Sequence, residues 1–121
     1  MTVNAMDAPA FPLTGANKER FICSATFTIG ASGAISTTVT DDAKMAGDDF
    51  GSGVCNLTYP ACSTVRFMCG LKSDGTVQEV VITAASSTAG TAVVKTTKAG
   101  VATEPESGAI IMVRVFGTVT G

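Results

Sequence analysis

The chain has 121 residues, 45% hydrophobic and only 15% charged, with a formal net charge of -2 and no histidine. That length allows one domain with a two-layer core, and a mean hydropathy of +0.37 with so little charge implies that other chains cover part of the apolar surface. Lys and Arg are scattered without a basic run, and no apolar run approaches the roughly 20 residues that a membrane-crossing helix needs, so neither a nucleic-acid partner nor a membrane span is expected.

Residues 1–19 contain Pro9 and Pro12 and follow neither the helical nor the strand period, which reads as an extended N-terminal arm. The arm also lacks the basic-then-apolar order of a secretory signal. Phe11, Pro12 and Leu13 are its candidate anchors, either on the chain's own domain or on a neighbouring subunit, because an arm without a core must borrow one to offset its ordering entropy. The rest, 20–121, reads as a single β-sandwich domain.

In 20–29, Phe21, Cys23, Ala25, Phe27 and Ile29 alternate with Ile22, Ser24, Thr26 and Thr28, predicting a strand with one core face and one wet face. A turn at 30–33 (GASG) leads into 34–40, where Ile35, Thr37 and Val39 keep phase, so the two segments read as a hairpin. Residues 41–53 (DDAKMAGDDFGSG) form an irregular loop with room for one helical turn capped by Asp41 or Asp42. Its four carboxylates do not follow the EF-hand order, which favours a solvated loop over a calcium site. Phe50 stands out as a loop aromatic able to plug a pocket or a partner.

Segment 54–59 places Cys55, Leu57 and Tyr59 inward and Asn56, in an Asn-Leu-Thr sequon, outward. In 63–72, Val65, Phe67, Cys69 and Leu71 form the inward row and Thr64, Arg66, Met68 and Lys72 the outward one. After a turn at 73–75, 76–83 carries Val80 and Ile82 opposite Val77 and Val81. A small-residue turn at 84–90 precedes 91–97, with Ala92, Val94 and Thr96 in phase, and 98–108 is a loop. The final stretch, 109–120, has Ile111, Val113, Val115 and Val119 on one face and Ile110, Met112 and Phe116 on the other, interrupted by Arg114, the pattern of a central strand. Together the segments predict an all-β fold, an antiparallel β-sandwich or barrel of about seven strands. If 63–72 and 109–120 are neighbours, Arg66, Met68, Met112, Arg114 and Phe116 share one outer surface of interface-like composition, closed by the arm or by another chain.

Cys23, Cys55, Cys62 and Cys69 lack the C-x2-4-C knuckles of zinc sites, and three of them fall in apolar rows, so buried free thiols are expected, with a disulfide or a metal as alternatives. Without His, a Ser or Cys nucleophile lacks its usual base, and Asp41, Asp42, Asp48 and Asp49 crowd one loop rather than facing across a cleft. The Gly-rich runs lack the Walker lysine. The expectation is a protein without catalytic activity, cofactor or metal.

The C-terminal half carries TYPAC at 58–62, a strand pair around 78–83 and 91–97 joined through TAGTAVV, then KAGVATEPESG and IIMVRVFG. Over 58–117 it resembles small β-rich structural proteins of tailed bacteriophages, notably head decoration or cement proteins. The resemblance implies a virion protein of the capsid surface, assembled in the host cytoplasm with reduced cysteines. It further implies binding to the major capsid protein lattice as a homo-oligomer, with a trimer favoured. A tail or fibre structural protein, or a carbohydrate-binding adhesive β-domain using Phe50, are the alternatives.

Overall fold

Alternating apolar and hydroxyl side chains, many of them β-branched, favour a pleated backbone with one buried face. The computed structural model describes residues 19–41 and 44–118. Within them the chain forms nine strands in two antiparallel sheets and no α-helix. The first sheet has β1 (Glu19–Ile29), β2 (Ile35–Thr40), β5 (Thr64–Lys72) and β9 (Ile110–Thr118) in the order β2-β1-β9-β5. The second has β3 (Ala46–Gly47), β4 (Val54–Thr58), β6 (Glu79–Ser86) and β7 (Thr91–Lys98) in the order β3-β4-β7-β6, with β8 (Val101–Ala102) pairing β7. The fold class is therefore all-β, two sheets face to face.

The core lies between the inward rows. Cys23, Ala25, Phe27 and Ile29 of β1 and Ile111, Val113 and Val115 of β9 meet Cys55 and Leu57 of β4, Tyr59 just beyond it, and Ala92 and Val94 of β7, all buried. β9 is the central strand its sequence predicts, paired to β1 on one side and β5 on the other. Two polar groups enter this core with their hydrogen bonds met, as burial requires. Tyr59 Oη donates to the carbonyls of Ser86 (3.1 Å) and Thr91 (3.0 Å), and Thr96 Oγ1 donates to the Thr103 carbonyl at 2.7 Å.

All seven predicted strands are present, and the differences lie where backbone geometry departs from simple alternation. β6 runs on to Ser86 through Ala84, at φ 51°, with a register shift between Thr83 and Ser86. Val77 is buried in the turn before β6 rather than sharing a strand face with the exposed Val81. Of the helical turn expected at the start of the 41–53 loop, residues 42 and 43, Asp42 among them, lie outside the described residues, and Ala46–Gly47 pairs with β4 as a strand. The Asp41 Oδ1 accepts the Ser24 N–H at 2.7 Å, extending the β1–β2 ladder by a side chain. Val119 and the arm residues 1–18 lie outside the described residues, and Glu19 already belongs to β1.

Two tight turns, Ala31–Gly33 and Gly51–Gly53, interlock at the β2–β3 side. The Phe50 N–H donates to the Gly33 carbonyl at 2.7 Å, and Ala34 bridges Asp49. Gly53 sits at φ 78°, and a methyl group there would fall 2.5 Å from the Thr103 amide nitrogen, so both conformation and space demand glycine. Phe50 is thereby driven wholly into the core, its ring centroid 6.1 Å from that of Phe27.

Candidate interaction surface

Register decides which side chains share the outer face of the first sheet. β5 pairs β9 without a break, setting Arg66 opposite Phe116, Met68 opposite Arg114, Gly70 opposite Met112 and Lys72 opposite Ile110. The five domain residues expected to form one surface, Arg66, Met68, Met112, Arg114 and Phe116, are thus adjacent. Phe11, Pro12 and Leu13 lie outside the described residues.

Sequence parity misplaced two side chains of this outer face: Val39, in phase with Ile35, instead stands exposed opposite Thr26, past a register shift in the β1–β2 pairing, and Phe21 is the second. Phe21 is in phase with Cys23 and Phe27, yet a bulge between Phe21 and Cys23 reverses the alternation, and Phe21 pairs Phe116 on the outer face. It is 48% exposed, while Ile22 packs against the core. No residue type in the chain announces this bulge; the only hint is the pair of adjacent apolar residues, Phe21 and Ile22, in an otherwise alternating strand.

Phe21 and Phe116 meet edge to face, centroids 5.8 Å apart, and the Arg66 guanidinium lies 5.4 Å from the Phe116 ring centroid. Glu19 fixes that guanidinium with two hydrogen bonds, Nε to Oε2 at 3.0 Å and Nη2 to Oε1 at 2.7 Å. The bonds from Arg66 lower the Glu19 pKa and raise that of Arg66 itself. The pair is solvent-exposed, so it orients the arginine more than it stabilises the fold.

Further along the sheet, Met112 folds over Gly70: a methyl group at Gly70 would come within 3.1 Å of the Met112 Cε. Around them Thr26, Leu71, Lys72 and Ile110 complete a shallow recess of about 320 Å³. Met68, 52% exposed, and the exposed Arg114 stand between this recess and the Phe21–Phe116 pair. The face therefore combines apolar, polarisable side chains with Arg66, Arg114 and Lys72; Glu19 pairs Arg66, and Asp74 and Glu106 line a neighbouring recess with Lys72. Such a face is chemically fitted to bind an apolar surface edged with acid.

A second feature lies where the sheet edges β5 and β6 approach. Val65, Phe67 and Cys69 of β5 and Val80, Ile82 and Ala85, the last beyond the β6 midpoint, line an open groove of about 620 Å³. Phe67 stacks edge to face on Tyr59 at 5.5 Å, closing its floor.

The remaining sequence candidates resolve into structure. Asp48 is a hub: Oδ1 accepts the backbone N–H groups of Asp49 (2.6 Å) and Asn56 (2.8 Å), and Oδ2 accepts Asn56 Nδ2 at 2.8 Å. Burial opposes its charge, but these hydrogen bonds prevail and its pKa falls. Asp49 Oδ1 accepts the Gly51 N–H at 2.8 Å. Both carboxylates thus organise their own loop, and among the described residues no group of three or more His, Cys, Asp or Glu is placed to hold a metal ion. Phe50, the aromatic on which sugar stacking would depend, is inaccessible. All four cysteines are unpaired, Cys23, Cys55 and Cys62 buried and Cys69 half-buried. Burial pushes the Cys23 thiol up to about 11 and Cys55 to about 12, which keeps both protonated and unreactive near neutrality.

Comparison with protein-family models, with curated proteins and with solved structures returns no match.

Proposed function

We propose that the protein is a non-catalytic structural component of a tailed-bacteriophage particle, a decoration or cement protein that reinforces the head. It does so by seating the outer face of the first sheet on the major capsid protein lattice, as a homo-oligomer with trimeric symmetry. The observation that carries this reading is the face itself: Phe21, Met68, Met112 and Phe116 presented together with Arg66 and Arg114 on one face of the first sheet. Aromatic residues, Met and Arg are the side chains enriched at protein interfaces. A sheet face suits a partner that is itself a repeating lattice, where many modest contacts add through avidity. The resemblance of residues 58–117 to head decoration proteins points the same way.

The test is cosedimentation of the protein with purified heads that lack it. Arg114→Glu combined with Met68→Asp should lower occupancy at least tenfold, since it puts two carboxylates into a desolvated apolar contact. Denaturation midpoints should stay at the parent value, because both side chains face outward. Parent-level occupancy of the double variant would remove the face from the contact and the proposal with it.

A further inference from the structure

β5 is an edge strand of an unusual kind. It runs nine residues, Thr64–Lys72, in unbroken register with β9, contains no Pro and no bulge, and carries charge only at Arg66 and Lys72. A long, flat, apolar edge presents unpaired backbone groups beside hydrophobic side chains, a liability that proteins cover or interrupt. The other edge of the first sheet, β2, is short and dominated by Thr and Ser. Beside β5, the Val65, Phe67 and Ile82 side chains stay half-buried in the groove toward β6. Among the described residues no strand pairs the outer side of β5, and the side chains of its inward row, though packed on the core, keep contact with water.

We propose that this groove is the docking site of the chain's own N-terminal arm, which adds to β5 as a fifth, antiparallel strand of the first sheet and lays Phe11 and Leu13 between the β5 and β6 edges. The inference concerns the free protein and does not rest on the capsid reading. Position and direction carry it. Residue 18 joins β1 at Glu19, which pairs Thr118, which in turn pairs Thr64, so the arm arises two strands from the start of β5. Neighbouring strands lie about 4.8 Å apart, so crossing to the outer side of β5 spans about 14 Å, within reach of about four extended residues. Residues 15–18 suffice, and Gly15 and Asn17 are turn formers.

β1 is antiparallel to β9 and β9 to β5, so an arm lying along β5 and arriving at Glu19 runs antiparallel to β5, the more favourable pairing. The prolines fit. Phe11 and Leu13 share one parity and Pro12 the other, so a strand whose Phe11 and Leu13 bond to β5 turns the Pro12 nitrogen outward, where no donor is needed. Pro9, of the same parity as Phe11, would end the ladder. Phe11 and Leu13 then face the same way, toward the row of Val65 and Phe67.

The experiment compares the full-length chain with its Phe11→Asp/Leu13→Asp variant by amide hydrogen exchange and by the rate at which Cys69 reacts with a water-soluble disulfide reagent, mapped by mass spectrometry. In the variant, exchange of β5 edge amides and labelling of Cys69 should each speed up about tenfold, while β7 and β9 exchange as in the parent. Equal rates in the two proteins would overturn the proposal. So would parent protection of β5 that is lost on hundredfold dilution, since that places a second copy's arm in the groove; protection that persists in a monomer supports it.

Discussion

Along the β2–β3 side of the sandwich, the described part of the 41–53 loop lays Met45 and Phe50 between the sheets, and two interlocked turns tie the sheets together over them. Along the β5–β6 side the same kind of apolar rows, Val65 and Phe67 facing Val80 and Ile82, stay half-buried in an open groove. The hydrophobic demand is alike on both sides, but only one is met by a loop adjacent in sequence. The difference separates a closed side, where any change disturbs packed backbone, from an open side whose apolar rows keep contact with water.

Four measurements sharpen that contrast. Phe50→Ala should have the largest effect, about 3–5 kcal/mol in denaturant unfolding, because it empties a fully enclosed site between rigid turns. Gly53→Ala comes next at about 2–3 kcal/mol, combining a left-handed backbone with a clash against Thr103; a midpoint close to the parent would mean that the interlocked turns yield easily. Phe67→Ala, on the open side, should cost about 1–2 kcal/mol, since its ring is only partly removed from water and the groove already has space. A loss equal to that of Phe50→Ala would erase the distinction between the sides. Glu19→Gln should leave the unfolding midpoint unchanged within error, as the Arg66 pair is exposed.

The buried thiols make a pH prediction with a definite sign. Cys23 and Cys55 are held near 11 and 12 by burial, above the ordinary thiol value that they regain on unfolding. The folded state therefore keeps protons that the unfolded state releases. Their stabilising contribution is complete below about pH 8.5 and is lost as pH rises through 11 to 12. Denaturant midpoints measured in reducing buffer should accordingly fall between pH 8.5 and 11, and Cys55→Ala should flatten that fall; a flat parent profile would contradict it.

Much of this fold was legible because period-two alternation fixes a strand's faces once its direction is known. Cys55, Leu57 and Tyr59, the inward row of β5 and both rows of β9 as far as Thr118 all fall where alternation puts them. The outer surface was legible for the same reason, and the β5–β9 register then supplied the adjacency. What alternation cannot convey is a backbone irregularity. The bulge beside Phe21 turned a core residue into a surface one, and the positive φ of Ala84 let β6 continue through residues that look like a turn. Loop burial is hidden in a different way. Phe50 between Asp49 and Gly51 reads as an aromatic able to plug a pocket or a partner without saying which, because the bonds that sink it, from Asp48 and Gly33, join residues whose proximity is a tertiary fact.

The central place of β9 has a consequence for the order of events during folding. β1 has β2 as a local partner, joined by a tight turn, but among the described strands β5 pairs β9 alone. Among the described strands β9 is the last to leave the ribosome, so until then β5 has no partner among them within its sheet and nothing joins it to the β1–β2 hairpin. Pairings between such distant segments are slow to form, which makes the nascent chain most prone to aggregation just before its C-terminal strand emerges. Weakening the inward side of β9, for instance by Val113→Ala, should therefore slow refolding as well as hasten unfolding, because the strand that holds the sheet together is also the one for which every other element must wait.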